Sequence, residues 1–133
     1  MTVKLLSYRD FQNKSIGKKS EGVACKWLLG KGFKIQAKNY RTRFGEVDII
    51  ALKNQVLYLV EVKTKRLSEA DKCGEFGLGV QSVNKKKLMK IVKCGENFSL
   101  ENGLRDTDMC ILVIEVNWYN QSRNFIRMVI VEP

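Results

Sequence analysis

Three charged residues, Asp48, Glu61 and Lys63, interrupt an otherwise largely apolar segment, GEVDIIALKNQVLYLVEVKTKR at 45–66. Buried carboxylates are costly unless a cation or hydrogen-bond donors offset their charge. Carboxylate oxygens are the ligands that Mg²⁺ and Mn²⁺ prefer, and such an ion would remove the repulsion between two neighbouring acids. Because the chain has no histidine, any hydrolytic chemistry would rest on carboxylates, a lysine or metal-bound water.

The segment that carries these residues is typical of a β-hairpin. Its pattern predicts strands at approximately 46–52 and 56–64, with a two-residue turn at 54–55. In that register Asp48 lies opposite Glu61, with Cβ atoms about 5 Å apart. The second strand is apolar on both faces over most of its length, which predicts a central strand. Two alternatives stay open: a three-residue turn would shift the register, and on an edge strand the acid and lysine would be surface partners.

Strict alternation along the first hairpin strand predicts which of its side chains lie together. Glu46, Asp48 and Ile50 would share one face of the sheet. Glu46 lies at the entrance of the strand, so it is a candidate for supporting the two acids from behind.

Two other segments show helical periodicity. The first covers 16–31, and Gly32 is well placed to end it. Its inward face would consist of Gly17, Glu21, Ala24 and Leu28. Glu21 is the exception on that face, and it is either a helix-end glutamate favoured by the helix dipole or part of a site. The second helix begins after Asn84, a candidate N-cap.

The remaining apolar patterns indicate strands. These lie at 32–40, 108–116 and 124–132. In the first of them Phe33, Ile35 and Ala37 alternate onto one face. The run DMCILVIEV in the second indicates a strand covered on both faces. The order helix, three strands, helix, two strands predicts an α/β (α+β) fold with a mixed central sheet flanked by helices.

Composition limits the classes of function. The 133 residues suit a single domain, 1–133, with 1–15 as an N-terminal extension, and no apolar run is long enough for a membrane span. We therefore expect a soluble cytoplasmic protein with no membrane partner. Four cysteines without a C-x-x-C pair argue against structural zinc. The net charge of +10 favours nucleic acid as the partner, although a lysine-rich solvated surface would give the same charge.

An acid on one hairpin strand followed by E-x-K on the next resembles the signature of PD-(D/E)XK nucleases. The chain more closely resembles the YraN-like family of small bacterial endonuclease-like proteins, which are similar to archaeal Holliday-junction resolvases. The resemblance covers approximately 17–116. Its blocks are the helical stripe with Glu21, NYRTRFGEVDIIA at 39–51, LVEVKTKR at 59–66, the pair Val83 and Lys87, and Asp108. The loop at 67–82 departs from the family by being longer and less regular.

The resemblance implies a fold, an activity and a cofactor. The fold would be restriction-endonuclease-like, with an αβββαβ core. The activity would be a Mg²⁺- or Mn²⁺-dependent endonuclease acting on DNA, including branched or structured DNA such as Holliday junctions, with RNA not excluded. Cleavage of a junction needs two active sites, so a homodimer is implied by analogy.

The resemblance also implies roles for single residues. Asp48 and Glu61, with the carbonyl of Val62, would hold the metal ion, and Glu21 would complete the acidic cluster. Lys63 would hold or deprotonate the attacking water. Outside this set, Asp108 would be either a residue supporting the site from behind or the cap of a strand.

Seven basic residues are candidates for contacts with the nucleic-acid backbone. They are Arg41, Arg43, Lys65, Arg66, Lys85, Lys86 and Lys87. A solvated turn is the alternative for the two arginines at 41 and 43, and an exposed helix face is the alternative for the lysines of the second helix.

Two other functions compete with the endonuclease. One is a catalytically silent nucleic-acid-binding module with the same fold. The other is a basic adaptor that docks on an acidic protein and uses the acids structurally. Steep salt dependence of DNA binding would separate the nuclease and the silent module from the adaptor. Metal-dependent nicking would separate the nuclease from the silent module.

Overall fold

The computed structural model describes residues 8–67, 84–104, 106–120 and 122–131, with side chains described from residue 16 onward. The predictions for Val83 and most of the loop at 67–82 lie outside these residues. The elements are α1 (Tyr8–Gly30), β1 (Lys34–Thr42), β2 (Gly45–Lys53), β3 (Val56–Arg66), α2 (Lys85–Glu101), β4 (Asp108–Trp118) and β5 (Asn124–Val131).

The five strands form one sheet in the order β1-β2-β3-β4-β5. The pairs β1–β2, β2–β3 and β4–β5 are antiparallel, and the pair β3–β4 is parallel. The predicted mixed α/β sheet, the αβββαβ order and the central position of β3 are thereby confirmed. The parallel pair requires a crossover, which contains α2.

The first helix begins earlier than its hydrophobic pattern predicts. It starts at Tyr8 instead of 16, so part of the predicted N-terminal extension is helical. Residues 8–15 are mostly polar, and periodicity could not identify them. The other end is as predicted: Gly32 has φ of +88°, and the N–H of Phe33 donates to the carbonyl of Leu28 over 3.0 Å. These features form a Schellman cap that ends α1.

Two cores lie on opposite faces of the sheet. The α1-side core joins Ile16, Ala24, Cys25 and Leu28 of the helix to Ile49, Ala51, Val60, Leu112, Ile114, Val116 and Trp118, with Phe33. The α2-side core joins Ile91, Cys94 and Phe98 of the helix to Val47, Ile50, Leu57, Leu59 and Ile111. Residues 111–118 of β4 are all buried, so the prediction of a strand covered on both faces is confirmed.

Alternation along β1 differs from the prediction. Ile35 packs against the α1-side core, whereas Ala37 packs against the α2-side core. The pairing with β2 shifts between these two residues, which marks a bulge at Gln36. The extra residue turns the side chains that follow it to the other face. The prediction that Phe33, Ile35 and Ala37 share one face is therefore wrong.

The β2–β3 turn has the predicted length. Lys53 pairs with Val56, and the turn residues Asn54 and Gln55 have φ of 50° and 65°. Two consecutive positive φ values are typical of a type I′ hairpin turn, which suits the twist of antiparallel strands. The turn thereby fixes the register of the hairpin that carries the candidate site.

Candidate functional site

The two hairpin strands stop pairing where the acids begin. Pairing of β2 with β3 runs from Lys53–Val56 to Ile49–Val60 and ends there, so Asp48 lies one position beyond the last pair. Its Oδ2 accepts a hydrogen bond of 2.8 Å from the backbone N–H of Val62. The predicted register is confirmed as far as pairing extends. Beyond it, the Asp48 carboxylate bonds to the backbone of the neighbouring strand.

Strict alternation also fails across Asp48. Val47 and Ile50, three positions apart, both pack in the α2-side core. Opposite Asp48 by count is Asn39, whose φ of 50° is unusual within a strand. The prediction that Glu46, Asp48 and Ile50 share one face therefore does not hold. The local irregularity leaves the Asp48 carboxylate half-buried at the open end of the hairpin.

Glu61 is a buried acid held by two lysines. The residue is only 8% exposed. Its Oε1 accepts a 2.7 Å hydrogen bond from Nζ of Lys87 and lies 3.3 Å from Nζ of Lys63. Lys63 stands two positions along β3, so alternation brings it to the same face. The charge cost of burying Glu61 is offset by these two ammonium groups.

Lys87 reaches Glu61 from the start of α2. The Oδ1 of Asn84 accepts a 2.9 Å hydrogen bond from the backbone N–H of Lys87, which confirms the predicted N-cap. This cap fixes the first turn of α2 beside β3. We name Asp48, Glu61, Lys63 and Lys87 the charge cluster.

The carboxyl group of Asp48 is unusually basic. Its pKa is raised to about 6, chiefly by burial and further by repulsion from the carboxylates of Glu61, Glu21 and Glu46. The hydrogen bond from the backbone N–H of Val62 acts in the opposite direction. The repulsion by Glu21 means that α1 brings a third acid within electrostatic reach of Asp48. Perturbed carboxyl groups of this kind are frequent at functional sites.

The two lysines of the charge cluster are shifted in opposite directions. Burial lowers the pKa of Lys63, and the neighbouring Lys87 lowers it further, against the attraction of Glu61. Burial also lowers the pKa of Lys87, but its hydrogen bonds, first that to Glu61, outweigh burial and leave the pKa raised. Lys63 is therefore the lysine that releases its proton more readily.

The donor atoms of this site suit a hard divalent cation. Asp48 and Glu61 each use one carboxylate oxygen in the contacts above, and both carry a second. In the described part of the chain, no three acidic, cysteine or histidine side chains are grouped closely enough to surround a metal ion. The fit thus rests on two carboxylates and a backbone oxygen. Mg²⁺ accepts such a set because it keeps several water ligands.

The predicted backbone-binding arginines lie at the β1–β2 turn. Arg41 pairs directly opposite Glu46, with Nε 3.3 Å from Oε2 of the acid. The guanidinium of Arg43 lies 4.8 Å from the ring centroid of Phe44. The Arg41 side chain is 78% exposed, so its ion pair with Glu46 is open to solvent. Glu46 therefore contacts a surface arginine in addition to repelling Asp48.

The predicted basic residues outside that turn lie at the start of α2 and at the end of β3. Lys85 and Lys86 are exposed on the first turn of α2, whereas Lys87 belongs to the charge cluster. Lys65 is half-buried and Arg66 is exposed, both at the end of β3. The sequence placed Lys87 among backbone-binding residues and gave no sign of its contact with Glu61. Only the position of α2 relative to β3 reveals that contact.

Asp108 does not lie near the acids. It pairs with Val56 at the turn end of β3, whereas Glu61 pairs with Val113. Five residues of strand separate the two levels, which corresponds to about 17 Å. Asp108 is exposed at the first position of β4. Of its two predicted roles, this position agrees with the one at the end of a strand and not with support of the two acids.

The fold and the candidate site together define a class of protein. It is a five-stranded α/β domain with carboxylates and lysines clustered at the open end of one hairpin. The family model described as "Uncharacterised protein family UPF0102" matches residues 20–125. The chain belongs to this family, which is the YraN-like family that its sequence resembles.

Individual relatives carry the same family name. A UPF0102 protein of Alkaliphilus oremlandii (strain OhILAs) is 41% identical over 96 residues, which cover 72% of this chain and 77% of the relative. One from Sulfurihydrogenibium sp. (strain YO3AOP1) is 44% identical over 92 residues, 69% of this chain and 75% of the relative. One from Clostridioides difficile (strain 630) is 39% identical over 104 residues, which cover 78% of this chain and 86% of the relative.

The helices of the structure can be compared with the length and apolarity that a membrane span requires. Within the residues that it describes, no helix is both long and apolar enough to span a bilayer.

Proposed function

We propose that this protein is a divalent-metal-dependent endonuclease that hydrolyses phosphodiester bonds of DNA. The observation that carries the proposal is the charge cluster itself. A glutamate that is 8% exposed stands beside an aspartate whose pKa is raised to about 6, chiefly by burial, with a lysine two residues along the same strand. Such a set is costly to the fold, and a catalytic role accounts for the cost.

The acids would hold Mg²⁺ or Mn²⁺ through Asp48, Glu61 and the carbonyl of Val62. When bound, the ion would supply hydroxide near neutral pH and Lewis acidity toward the phosphoryl oxygen. It would also relieve the repulsion between the two carboxylates. Glu21 would add negative charge from α1 and strengthen the attraction for the cation.

Lys63 would act on the attacking water. Its pKa is lowered, so a larger fraction of it than of an ordinary lysine is the neutral amine, the form that can take a proton from water. In its protonated form the same group would donate to a phosphate oxygen. Lys87 would hold Glu61 in place, since its Nζ contacts Oε1 of that acid at 2.7 Å.

The substrate would be held by basic surface residues. Lys85, Lys86 and Arg43 are exposed, and the chain carries a net charge of +10. Contacts of lysine and arginine with phosphates supply affinity without base information. This arrangement suits an enzyme that recognises the shape of DNA, including branched DNA, more than its sequence.

One observation favours a second candidate, a nucleic-acid-binding module without cleavage. The Glu61 carboxylate is already neutralised by Lys63 and Lys87. If that arrangement persists in the presence of divalent cations, the acids would serve the fold and the basic surface would still bind nucleic acid.

A cleavage assay separates the two candidates. Supercoiled plasmid and a synthetic four-way junction are incubated with the protein and Mg²⁺, Mn²⁺ or a chelator. The variants are Glu61→Gln and Lys63→Met, with Glu101→Gln as a matched control, because the Glu101 carboxylate instead accepts a hydrogen bond from Tyr40.

Metal-dependent cleavage by the wild type and Glu101→Gln, lost in both site variants, would support the nuclease. DNA binding in either metal without cleavage would overturn it in favour of the silent module. Absence of salt-dependent DNA binding would contradict both candidates and favour the acidic-protein adaptor.

A further inference from the structure

The two edges of the sheet differ in how well they are protected against pairing. Among the described residues, β1 pairs only with β2, and β5 pairs only with β4. The β1 edge has a bulge after Ile35 and a positive φ at Asn39, and it exposes Lys34 and Lys38. Bulges and lysines are the devices that discourage an edge strand from pairing with another chain.

The β5 edge lacks these devices. Its eight residues, NFIRMVIV, include one charged side chain, and its register with β4 is unbroken from Ile111–Val131 to Trp118–Asn124. A long, regular and weakly charged edge is a template for strand addition. In a chain with a net charge of +10, this strand is the edge with the least repulsion toward a second copy.

An apolar stripe runs along β5 on the face of the α1-side core. Met128 pairs with Ile114, and Ile130 pairs with Leu112, both of them members of that core. Met128 and Ile130 nevertheless remain 44% and 56% exposed. Ile126, on the same side, is packed against the core. The core therefore extends to solvent at this edge.

We propose that β5 pairs antiparallel with β5 of a second copy of this chain, about a two-fold axis at Met128. In this register Met128 lies opposite the partner's Met128, and Ile126 lies opposite the partner's Ile130. The apolar stripe then continues across the interface. Arg127 faces the partner's Val129, so the charged residue of the strand does not meet its own copy.

The association closes at two copies. Pairing about a two-fold axis uses both β5 edges, and the protected β1 edges become the outer edges of the combined sheet. A self-complementary interface with protected outer edges gives a dimer, not a fibre.

The geometry has a consequence for catalysis, which rests on the proposed function. Glu61 is level with Val113 and, through it, with Val129, one residue from the axis. Five strand spacings separate β3 from the partner's β3, or about 24 Å, and directly opposed strand residues point to the same face of the sheet. Both candidate sites would thus lie on the α2 side of one continuous twisted sheet, close enough for one DNA molecule to contact both.

Cysteine cross-linking tests the register. A Met128→Cys variant places two thiols opposite each other at the axis, where Cα atoms of paired strands lie about 4.5–5.5 Å apart, within disulfide range. Ile130→Cys places its two copies four residues apart along the strands, about 13 Å, which is too far. After mild oxidation we expect a covalent dimer of Met128→Cys only, with the wild type run in parallel because the chain has native cysteines.

Sedimentation velocity tests the interface without oxidation. We expect a dimeric wild type, a monomeric Met128→Lys, and a dimeric Leu29→Lys, in which an apolar side chain on α1 that is at least as exposed is replaced. Circular dichroism checks that both variants are folded. A monomeric wild type would overturn the proposal, and so would a dimer that Met128→Lys leaves intact or cross-linking of Ile130→Cys in preference to Met128→Cys. None of these outcomes depends on cleavage, so the dimer and the nuclease can fail separately.

Discussion

At its turn end the β2–β3 hairpin is paired and apolar, whereas at its open end the strands separate and carry charge. Leu57 and Leu59, within the paired stretch that runs from the turn to Ile49–Val60, are fully buried in the α2-side core. Beyond the last pair, Asp48 and Glu61 bring carboxylates into the same two strands. The difference indicates that the buried, paired part stabilises the hairpin. This stabilisation compensates for the charged groups at the open end, which destabilise the hairpin. Substitutions in the paired stretch and at the open end should therefore change stability in opposite directions.

The largest effect is expected in the paired stretch of the hairpin, from Leu59→Ala. Leu59 has no exposed surface and contacts the α2-side core, so its truncation leaves a cavity under α2. We expect the free energy of unfolding to fall by about 2–5 kcal/mol. Chemical denaturation measures this change. An effect below that of a surface substitution would show that the paired stretch does not carry the stability of the hairpin.

A smaller loss is expected from Gly95→Ala, which tests the same region from the helix side. A Cβ at Gly95 would lie 2.5 Å from Cδ1 of Leu59 and 3.0 Å from Sδ of Met109, so α2 would have to move or Leu59 change rotamer. We expect a loss of about 1–3 kcal/mol in the free energy of unfolding. Equal stability of the variant and the wild type would contradict this close approach of helix and sheet.

The open end should respond in the opposite direction. In Asp48→Asn the side chain keeps an oxygen that accepts from the backbone N–H of Val62, while the buried charge is removed. We expect a gain of about 1–2 kcal/mol at pH 7, less than the full pKa shift would give because water reaches the side chain in part. Chemical denaturation at pH 7 without divalent cations measures it. A destabilised variant would contradict the assignment of Asp48 as a costly residue.

The same residue makes stability depend on pH. The pKa of Asp48 is about 6 in the folded chain and 3.8 for an unperturbed group. Between these values the folded state binds more protons than the unfolded state, so the Asp48 contribution to unfolding free energy decreases as pH rises. This contribution is fully present below the lower pKa and is lost through the upper one. We expect the free energy of unfolding to decrease less between about pH 4 and 6 in Asp48→Asn than in the wild type.

The smallest effect is expected from Arg41→Gln at the β1–β2 turn. The pair with Glu46 is directly cross-strand, but the arginine side chain is 78% exposed. We expect a change of no more than about 0.5 kcal/mol in the free energy of unfolding, and a smaller one at high salt. A larger effect would mean that charges outside the charge cluster also hold this end of the hairpin.

Local sequence rules predicted the parts of the fold that local geometry controls. The turn at Asn54 and Gln55 fixed the register, Asn84 capped α2, and Gly32 ended α1. Each depends on residues within a few positions along the chain. Resemblance to the YraN-like family added the roles predicted for Glu21, Asp48, Glu61 and Lys63, which stay predictions, and the family itself is confirmed.

Other features depend on contacts between distant segments, and these were not predictable from pattern. The bulge at Gln36 and the irregularity at Asp48 break alternation without a glycine or proline to mark them. Lys87 reaches Glu61 only because the crossover brings α2 over β3. Asp108 lies at the far end because β3 and β4 are parallel, which aligns the start of one strand with the start of the other.

Calorimetric titration with Mn²⁺ tests most directly whether the open end of the hairpin is a cation site. Wild type, Asp48→Asn and Arg41→Gln are titrated after removal of divalent ions. We predict a single site in the wild type and in Arg41→Gln that Asp48→Asn loses, and the chemical denaturation of that variant shows whether it is folded. Equal binding by Asp48→Asn and the wild type, or no binding by the folded wild type, would contradict the assignment of Asp48 and Glu61 as metal ligands.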